Sequence, residues 1–370
     1  MNKKKYFIII IGIFIYVFIT LGQDRVPIEE VEAISGIGYD IEIKGEDIIE
    51  YSIPISTNIY KVSGSQVNLV FKEPGQNVGE VIQKRQEKMS KKVVQGQEKI
   101  VLISKDYAKY GLKTLIEDRF RNAETNDMAY MAVCKGKTES YLKYKVKGYS
   151  NASDFIGGLI EVSSNYSFFP DNYKLIDAYV RIGAEGRSLA LPYIEITEEG
   201  IEITGMAIFK EDKLVEVVDE KNSTMLNLLR DSNVKGTLSL QKSPKVYIDF
   251  EGKTGKRKVR CYKQGEKYSF NIDLSFIGTV VNNEMYVNML QDIKEKKEFE
   301  KDMSKSIEKQ CDDFIKIMKS DYKVDCLALG REAAAKYGRQ KNIDWNEVVS
   351  SADIKVNVKV KVDLQGRGDY

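Results

Sequence analysis

Apolar and polar residues follow different patterns in the two halves of the chain. In the first half, the segment 77–94 places Val78, Val81 and Ile82 on one face of a helix, and the short apolar run 100–103 after it is typical of a buried strand. Further strands are expected within 34–50 and at 65–71 and 128–134, and further helices at 112–120, 140–147, 152–161 and 173–182. Strands that alternate with helices indicate βαβ-like packing.

From Tyr193 onward the apolar period changes to two. Hairpin turns are predicted at Gly200, which supplies a positive-φ position, and at 210–213. The clearest strand is 354–364, where branched apolar residues alternate with Lys355, Asn357, Lys359, Lys361 and Asp363. One buried and one solvated face is typical of an antiparallel sheet.

A long helix is predicted at 282–319, with its apolar side chains in a single stripe: Phe299, Met303, Ile307, Cys311, Phe314 and Met318. The sequence therefore predicts a multi-domain α+β fold. Its N-terminal half is mixed α/β, and its C-terminal half is an antiparallel sheet packed against this long helix. The predicted units are 1–22, 23–190 and 191–370, with 183–192 as the linker between the last two.

The first 22 residues differ from the rest. Three lysines, Lys3 to Lys5, precede the apolar run 6–21, a pattern typical of a secretory signal. The run is shorter than the ~20 residues of a comfortable transmembrane helix. No small-residue cleavage motif follows it, which favours a helix that is kept as an anchor. The positive-inside rule then places the remaining residues outside the cytoplasm.

Composition excludes several classes of function. Among 370 residues, 57 Lys and Arg balance 55 Asp and Glu, and this net charge of +2 does not favour a nucleic-acid binder. The histidine count is zero, which removes Ser-His-Asp and Cys-His catalysis and His-ligated zinc or haem. The four cysteines lie far apart, so they form neither a metal-binding motif nor a disulfide framework.

Candidate chemistry is sparse. The adjacent carboxylates Glu117-Asp118, Glu198-Glu199 and Asp312-Asp313 are expected in turns or on solvated helix faces, although such pairs can serve hydrolysis. Gly36-Ile37-Gly38 lacks the third glycine of a dinucleotide motif. Cys311 lies in the apolar stripe, which favours burial and inertness. We therefore expect no catalytic residue, no cofactor and no metal, and thus no enzyme.

Charge is distributed unevenly along the chain. The segment 24–50 has nine acidic residues against Arg25 and Lys44, whereas the segment 253–267 has seven basic residues against Glu266. The basic segment has two interpretations. It is either a solvated hairpin or a surface that contacts anionic lipid or an acidic partner.

A series of short motifs spans nearly the whole chain after residue 23. They are Ile28-Glu29-Glu30-Val31, Gly36-Ile37-Gly38-Tyr39-Asp40, Arg85-Gln86, Ile100-Val101-Leu102-Ile103, Tyr107-Ala108, Tyr110-Gly111-Leu112, Asp118-Arg119-Phe120-Arg121-Asn122, Gly205-Met206-Ala207-Ile208-Phe209-Lys210, Asp212-Lys213-Leu214-Val215, Leu327-Ala328-Leu329-Gly330, Trp345 and the strand that ends near Val362. In this order they resemble the Ger(x)C family, the C subunit of nutrient germinant receptors in endospore-forming bacteria.

The resemblance implies a non-enzymatic subunit that is anchored at the spore inner membrane, on its exported side. Its implied partners are two integral-membrane receptor subunits of the A and B types, and its small-molecule ligand is unknown. The chain departs from the family at Gln23, the expected position of a lipobox cysteine, and no cysteine precedes Cys134. We therefore expect no lipidation site. An exported solute-binding module, which needs an apolar pocket with convergent polar groups, is the alternative.

Overall fold

Two β-sheets with packed helices make up the protein, and the α+β class is confirmed. The computed structural model describes residues 3–21, 27–45, 48–61, 66–289, 291–339 and 343–363. The first helix, α1, is Lys3–Leu21, and its described side chains between Tyr6 and Phe18 are exposed. Among the described residues, no helix has both the length and the apolar character that crossing a membrane requires. Gln23 lies outside the described residues.

The first sheet has eleven strands: β1 (Val31–Ile43), β2 (Ile49–Ser52), β3 (Ile55–Tyr60), β4 (Gln66–Phe71), β5 (Pro74–Gly75), β6 (Lys92–Val94), β7 (Ile100–Ser104), β8 (Tyr130–Cys134), β9 (Ala190–Ile196), β10 (Ile201–Lys210) and β11 (Lys213–Asp219). Its order is β11-β10-β9-β8-β7-β1-β2-β5, with β3 and β6 also paired to β1, and β4 to β3. The neighbours β1, β7, β8 and β9 run parallel, as βαβ packing predicts. The two predicted hairpins join β9 to β10 and β10 to β11.

Six helices connect these strands: α2 (Val78–Gln86), α3 (Lys105–Tyr110), α4 (Lys113–Arg121), α5 (Thr138–Leu142), α6 (Ala152–Ser163) and α7 (Leu175–Ile182). They cover both faces of the sheet, which is why β7 is buried along its whole length. Ile100 and Leu102 belong to one core cluster together with Ile156 of α6. Val101 belongs to the other cluster together with Leu115 of α4.

Two helices of this half differ from the sequence prediction. The helix predicted at 77–94 begins after Asn77, whose side chain caps it, but it ends at Gln86. The predicted remainder includes β6, which pairs with β1 because the branched Val93 and Val94 favour a strand when a partner edge is present. The helix predicted at 140–147 is the shorter α5.

The C-terminal half contains α8 (Glu220–Arg230), β12 (Lys235–Ser243), β13 (Val246–Thr254), β14 (Lys258–Gln264), β15 (Lys267–Asn283), α9 (Ile293–Ile317), a π-helical turn (Met318–Tyr322), α10 (Leu329–Tyr337), α11 (Trp345–Ser351) and β16 (Asp353–Val362). Its sheet is antiparallel except at β16, which runs parallel to β15. The reason is topological. The helix α9 returns the chain to the end of the sheet where β15 begins, so β16 starts beside the first residues of β15 and runs in the same direction.

The long helix α9 begins at Ile293, later than predicted, because β15 extends to Asn283. Its stripe lies against the sheet as expected, with these side chains buried: Phe299, Met303, Ile307, Cys311, Phe314 and Met318. The alternation in β16 is also confirmed, with Val360 and Val362 buried and the lysines exposed. Leu364 lies outside the described residues.

The segment 183–192, which the sequence analysis interprets as a linker, is packed against the C-terminal half of the chain. The Ser188 hydroxyl donates to the backbone oxygen of Asp325 over 2.7 Å, and the indole N–H of Trp345 donates to Glu185 over 3.0 Å. After this segment, β9, β10 and β11 complete the first sheet. The proposed division at residue 190 therefore falls at the start of a strand of that sheet and remains a prediction.

Candidate functional site

The candidate site is the solvent-facing side of the C-terminal sheet. Along β15, the side chains of Phe270, Ile272, Leu274 and Phe276 point into the core, so alternate residues from Asn271 onward point outward. The register of β15 with its neighbours places outward side chains of β13, β14 and β16 beside them. Four strands therefore share one surface, and β16 comes from a part of the chain that is distant in sequence from the other three.

Basic side chains dominate this surface, which we call the basic face: Lys253, Lys258, Arg260, Lys355, Lys359 and Lys361. All six are exposed. They occupy the span from Asn271 to Ile277 of β15, about 20 Å along the strands, and about 10 Å across them. Within the described strands, Asp273 is the one carboxylate between them, and Glu251 and Asp353 lie at the two ends. The basic face therefore carries a positive potential.

Asp273 is held in the middle of the basic face by two neighbours. Arg260 donates to it across the β14–β15 pair, with a shortest N–O distance of 2.8 Å. Asn357 donates its side-chain N–H to the same carboxylate over 2.9 Å from the β16 side. This network fixes the direction of one guanidinium group, while Lys359 and Lys361 form no ion pair with a described residue.

An apolar side chain accompanies the charges. Ile277 lies between Lys253 and Lys361 in the register and is 57% exposed. Val281, also 57% exposed, follows four residues later on the same strand. A basic surface with exposed apolar residues at one end is more typical of a protein-binding surface than of a merely solvated one.

Sequence reasoning found only part of this surface. The basic segment 253–267 contributes Lys253, Lys258 and Arg260, but Arg257 is mostly buried and donates to the backbone oxygen of Leu327 over 3.0 Å. Burial lowers the pKa of Arg257. The remaining cations come from β16. In the sequence, their alternation with valines was the only indication that they lie on an exposed face.

The edge of β16 is closed by α9, so the basic face and not the edge is available for binding. Backbone N–H groups of β16 donate to side chains of α9, and the three donor–acceptor pairs are Val358 to Glu308, Val360 to Ser304 and Val362 to Glu300. An uncovered strand edge would recruit further strands.

The other residues considered for chemistry do not assemble into a site. The paired carboxylates at 117–118, 198–199 and 312–313 are all exposed and lie on separate elements. No group of three or more metal-ligating side chains occurs in the described part of the chain. Gly36 and Gly38 lie in β1, where α5 and α6 pack so closely that a side chain at Gly36 would overlap Ser153.

All four cysteines are buried. Burial raises the pKa of Cys311 to about 12 and also raises the pKa of Cys134, Cys261 and Cys326. A thiol in this state is neither a nucleophile nor a ligand at neutral pH.

Several of the quoted motifs have structural roles. Asp212 accepts a hydrogen bond from the backbone N–H of Lys113 over 3.0 Å, and so joins the start of α4 to the β10–β11 hairpin beside Gly111. Asp325 accepts from the N–H groups of Leu329 and Gly330, the beginning of α10, over 3.0 and 2.7 Å. The first contact joins two segments that are distant in the sequence, and the second caps a helix.

Comparison with known proteins agrees with the resemblance in the sequence. The model of the spore germination protein N-terminal domain matches residues 24–196, and that of the spore germination B3/GerAC-like C-terminal domain matches residues 204–366. The chain therefore belongs to the GerAC, or Ger(x)C, family of spore germination proteins.

A relative and a solved structure support this assignment. The spore germination protein GerQC of Bacillus cereus is 25% identical over 344 residues, which are 92% of this chain and 93% of the relative. The crystal structure of the GerBC protein has the same fold, with a TM-score of 0.54 and 15% identity over 88% of this chain and 97% of that chain. These findings do not favour the alternative of an exported solute-binding module.

Proposed function

We propose that this protein is a non-enzymatic subunit of a nutrient germinant receptor in the spore membrane, and that its basic face docks on an acidic surface of the integral-membrane subunits. The observation that carries the proposal is the basic face itself. Six exposed cations converge there from three chain segments around a single fixed carboxylate, Asp273.

The makeup of the basic face favours a protein partner over lipid. A lipid surface attracts lysines without regard to their arrangement. Here Asp273 fixes Arg260 in one orientation, and Ile277 offers an apolar contact between two lysines. Fixed polar groups beside an exposed apolar side chain are common in protein interfaces.

The non-enzymatic role has its own support. The described carboxylates do not converge, the cysteines are buried, and histidine is absent from the sequence. Quoted motif residues have packing or capping contacts, as Asp212 with Lys113 and Leu329 with Asp325 show. Such a protein contributes surfaces and not reactive groups.

Membrane association has two sources of support. The apolar side chains of α1 are exposed in the isolated chain, and an exposed helix that is apolar all round needs a lipid or protein cover. The lysines at its start favour the orientation that leaves the remaining domains on the exported side of the spore inner membrane.

Co-purification from spore membranes tests the proposal. The full chain with an affinity tag is extracted in mild detergent from dormant spores, and bound proteins are identified by mass spectrometry. We expect integral-membrane A- and B-type receptor subunits in amounts comparable to the tagged chain. Recovery of the tagged chain alone, in the soluble fraction, would refute the proposal.

A further inference from the structure

A small cavity lies in the first sheet's domain, between β1 and β3 on one side and α2 and α4 on the other. Its volume is about 110 Å³. A cavity of about 150 Å³ holds a benzene molecule, so this one has room for about four or five non-hydrogen atoms. Branched apolar side chains form much of the wall, including Ile34, Ile37 and Ile55.

Arg85 from α2 lines the cavity and lacks a counterion. It is 8% exposed, and its guanidinium group donates to the backbone oxygen of Ile53 over 2.9 Å. Among the described residues, no carboxylate lies within ion-pair distance of it, and it donates no second hydrogen bond. A largely buried charge with a single hydrogen bond and no counterion would be stabilised by an anion beside it.

Arg119 from α4 lines the same cavity and is paired on one side only. Its guanidinium group donates to Glu98 over 2.8 Å and to Gln95 over 3.0 Å. The remaining donor, Nε, is buried and has no partner among the described residues. One unsatisfied N–H of Arg119 and the guanidinium group of Arg85, which has no ion-pair partner among the described residues, therefore border the same partly open cavity.

Burial and, to a smaller extent, the neighbouring charge of Arg119 lower the pKa of Arg85 to about 10, while Tyr39 opposes this effect. Arg85 is still charged at neutral pH. Glu98 already compensates the charge of Arg119, so Arg85 is the uncompensated charge beside the cavity, and a negative charge there would stabilise it.

We infer that this cavity binds a small aliphatic monocarboxylate. The planar carboxylate matches the donors of Arg85 and Arg119, because guanidinium groups bind carboxylates through parallel hydrogen bonds. The isoleucine walls suit a short hydrocarbon tail, which phosphate and sulfate lack. Asp118, an exposed residue that also lines the cavity, disfavours a second negative charge on the ligand. The site is distinct from the basic face and does not depend on the proposed function.

The test uses the full chain in non-ionic detergent. Thermal melting is recorded with increasing sodium acetate or propionate, against sodium chloride and phosphate at equal ionic strength. We expect a saturable rise in melting temperature with the carboxylates only. Carbon-13-labelled acetate should show a matching saturable change in its NMR signal.

Substitutions then locate the site. Arg85→Met keeps the length of the side chain and removes the charge, and it should weaken acetate binding about tenfold or more, since it deletes a charged donor. Arg121→Gln on α4, where the arginine is 80% exposed, is the control and should bind acetate normally.

Three results would overturn the inference. They are the absence of a saturable acetate effect on the wild-type chain, an equal effect of chloride or phosphate, or undiminished acetate binding by Arg85→Met. The NMR experiment on the wild-type chain decides the matter even when the variant does not fold.

Discussion

Glu308 of α9 accepts a hydrogen bond from the backbone N–H of Val358 in β16 over 2.8 Å. Ser304 with Val360 and Glu300 with Val362 repeat it over 3.1 and 3.0 Å. The acceptors are four residues apart on the helix, a rise of about 6 Å, and the donors are two residues apart on the strand, a rise of about 6.6 Å. The two spacings match, so the hydrogen bond repeats along the pair. The helix α9 therefore closes the edge of the sheet at β16 with polar side chains, and its apolar stripe packs against the buried face of the same sheet.

Removing one of these acceptors should destabilise the C-terminal half. Glu308→Ala leaves the half-buried N–H of Val358 without a partner, and we expect a loss of about 1–3 kcal/mol in the free energy of unfolding. Urea unfolding followed by the fluorescence of Trp345, the one tryptophan of the chain, measures it. Glu308→Gln keeps an acceptor oxygen and should lose less. Equal urea midpoints for Glu308→Ala and the wild-type chain would contradict this role of the helix.

The two faces of β16 should differ sharply in their tolerance of charge. Val360 is 3% exposed, so Val360→Asp buries a carboxylate and should cost several kcal/mol or force the group to take up a proton. Lys359→Asp places the same side chain on the solvated face and should change stability by about 0.5 kcal/mol or less. Thermal melting of the two variants, with the wild-type chain alongside, makes the comparison. Similar melting temperatures for both would mean that the strand is not one-sided.

The Asp325 carboxyl should make stability depend on pH. Burial raises the pKa of Asp325 from its ordinary value of 3.8 to about 6, although the N–H groups of Gly330 and Leu329 oppose the shift. Between these pH values the folded chain binds a proton that the unfolded chain lacks. This group therefore adds stability as the pH falls from 7 to 5, by about 1 kcal/mol.

The variant Asp325→Asn has no such carboxyl and serves as the comparison. Its deficit in unfolding free energy relative to the wild-type chain should be larger at pH 5 than at pH 7. Urea unfolding at the two pH values measures the difference. A deficit that shrinks at pH 5 would show that the carboxyl is ionised in the fold at that pH.

The cysteines should be unreactive in the native protein. All four are buried, and burial raises their pKa values, so a thiol reagent at pH 8 should label none of them until denaturant is added. The labelling rate in buffer and in urea, read by mass spectrometry, checks this. Rapid labelling of one cysteine in buffer would contradict the prediction and would show that its thiol is accessible and reactive in the folded protein.

The sequence pattern predicted the structural features that depend on the period of apolar side chains along one element. The alternation in β16 and the stripe of α9 were visible in the sequence because each reflects one buried face. The helix prediction failed at Val93 and Val94 because pairing with β1 outweighs local helical pattern there.

The basic face depends on which strands are neighbours, and no local signal contains that information. Lys361 meets Lys253 across Ile277 because β16 runs parallel to β15 and β13 runs antiparallel to it. The sequence indicated an exposed lysine face and a basic segment separately. Only the strand order of the sheet joins them. In the same way, Arg85 and Arg119 share one cavity because α2 and α4 pack near the same strand.

Reversal of charge on the basic face tests the central proposal most directly. Lys359→Glu with Lys361→Glu alters the face, and Lys242→Glu with Lys245→Glu changes the net charge equally at exposed positions at the end of β12 and in the turn to β13. Each tagged full chain is expressed in place of the wild type, and the receptor subunits that co-purify from spore membranes are quantified. We predict that the first variant loses these subunits while accumulating normally, and that the second retains them. Retention of the subunits at wild-type levels by the first variant would contradict the account.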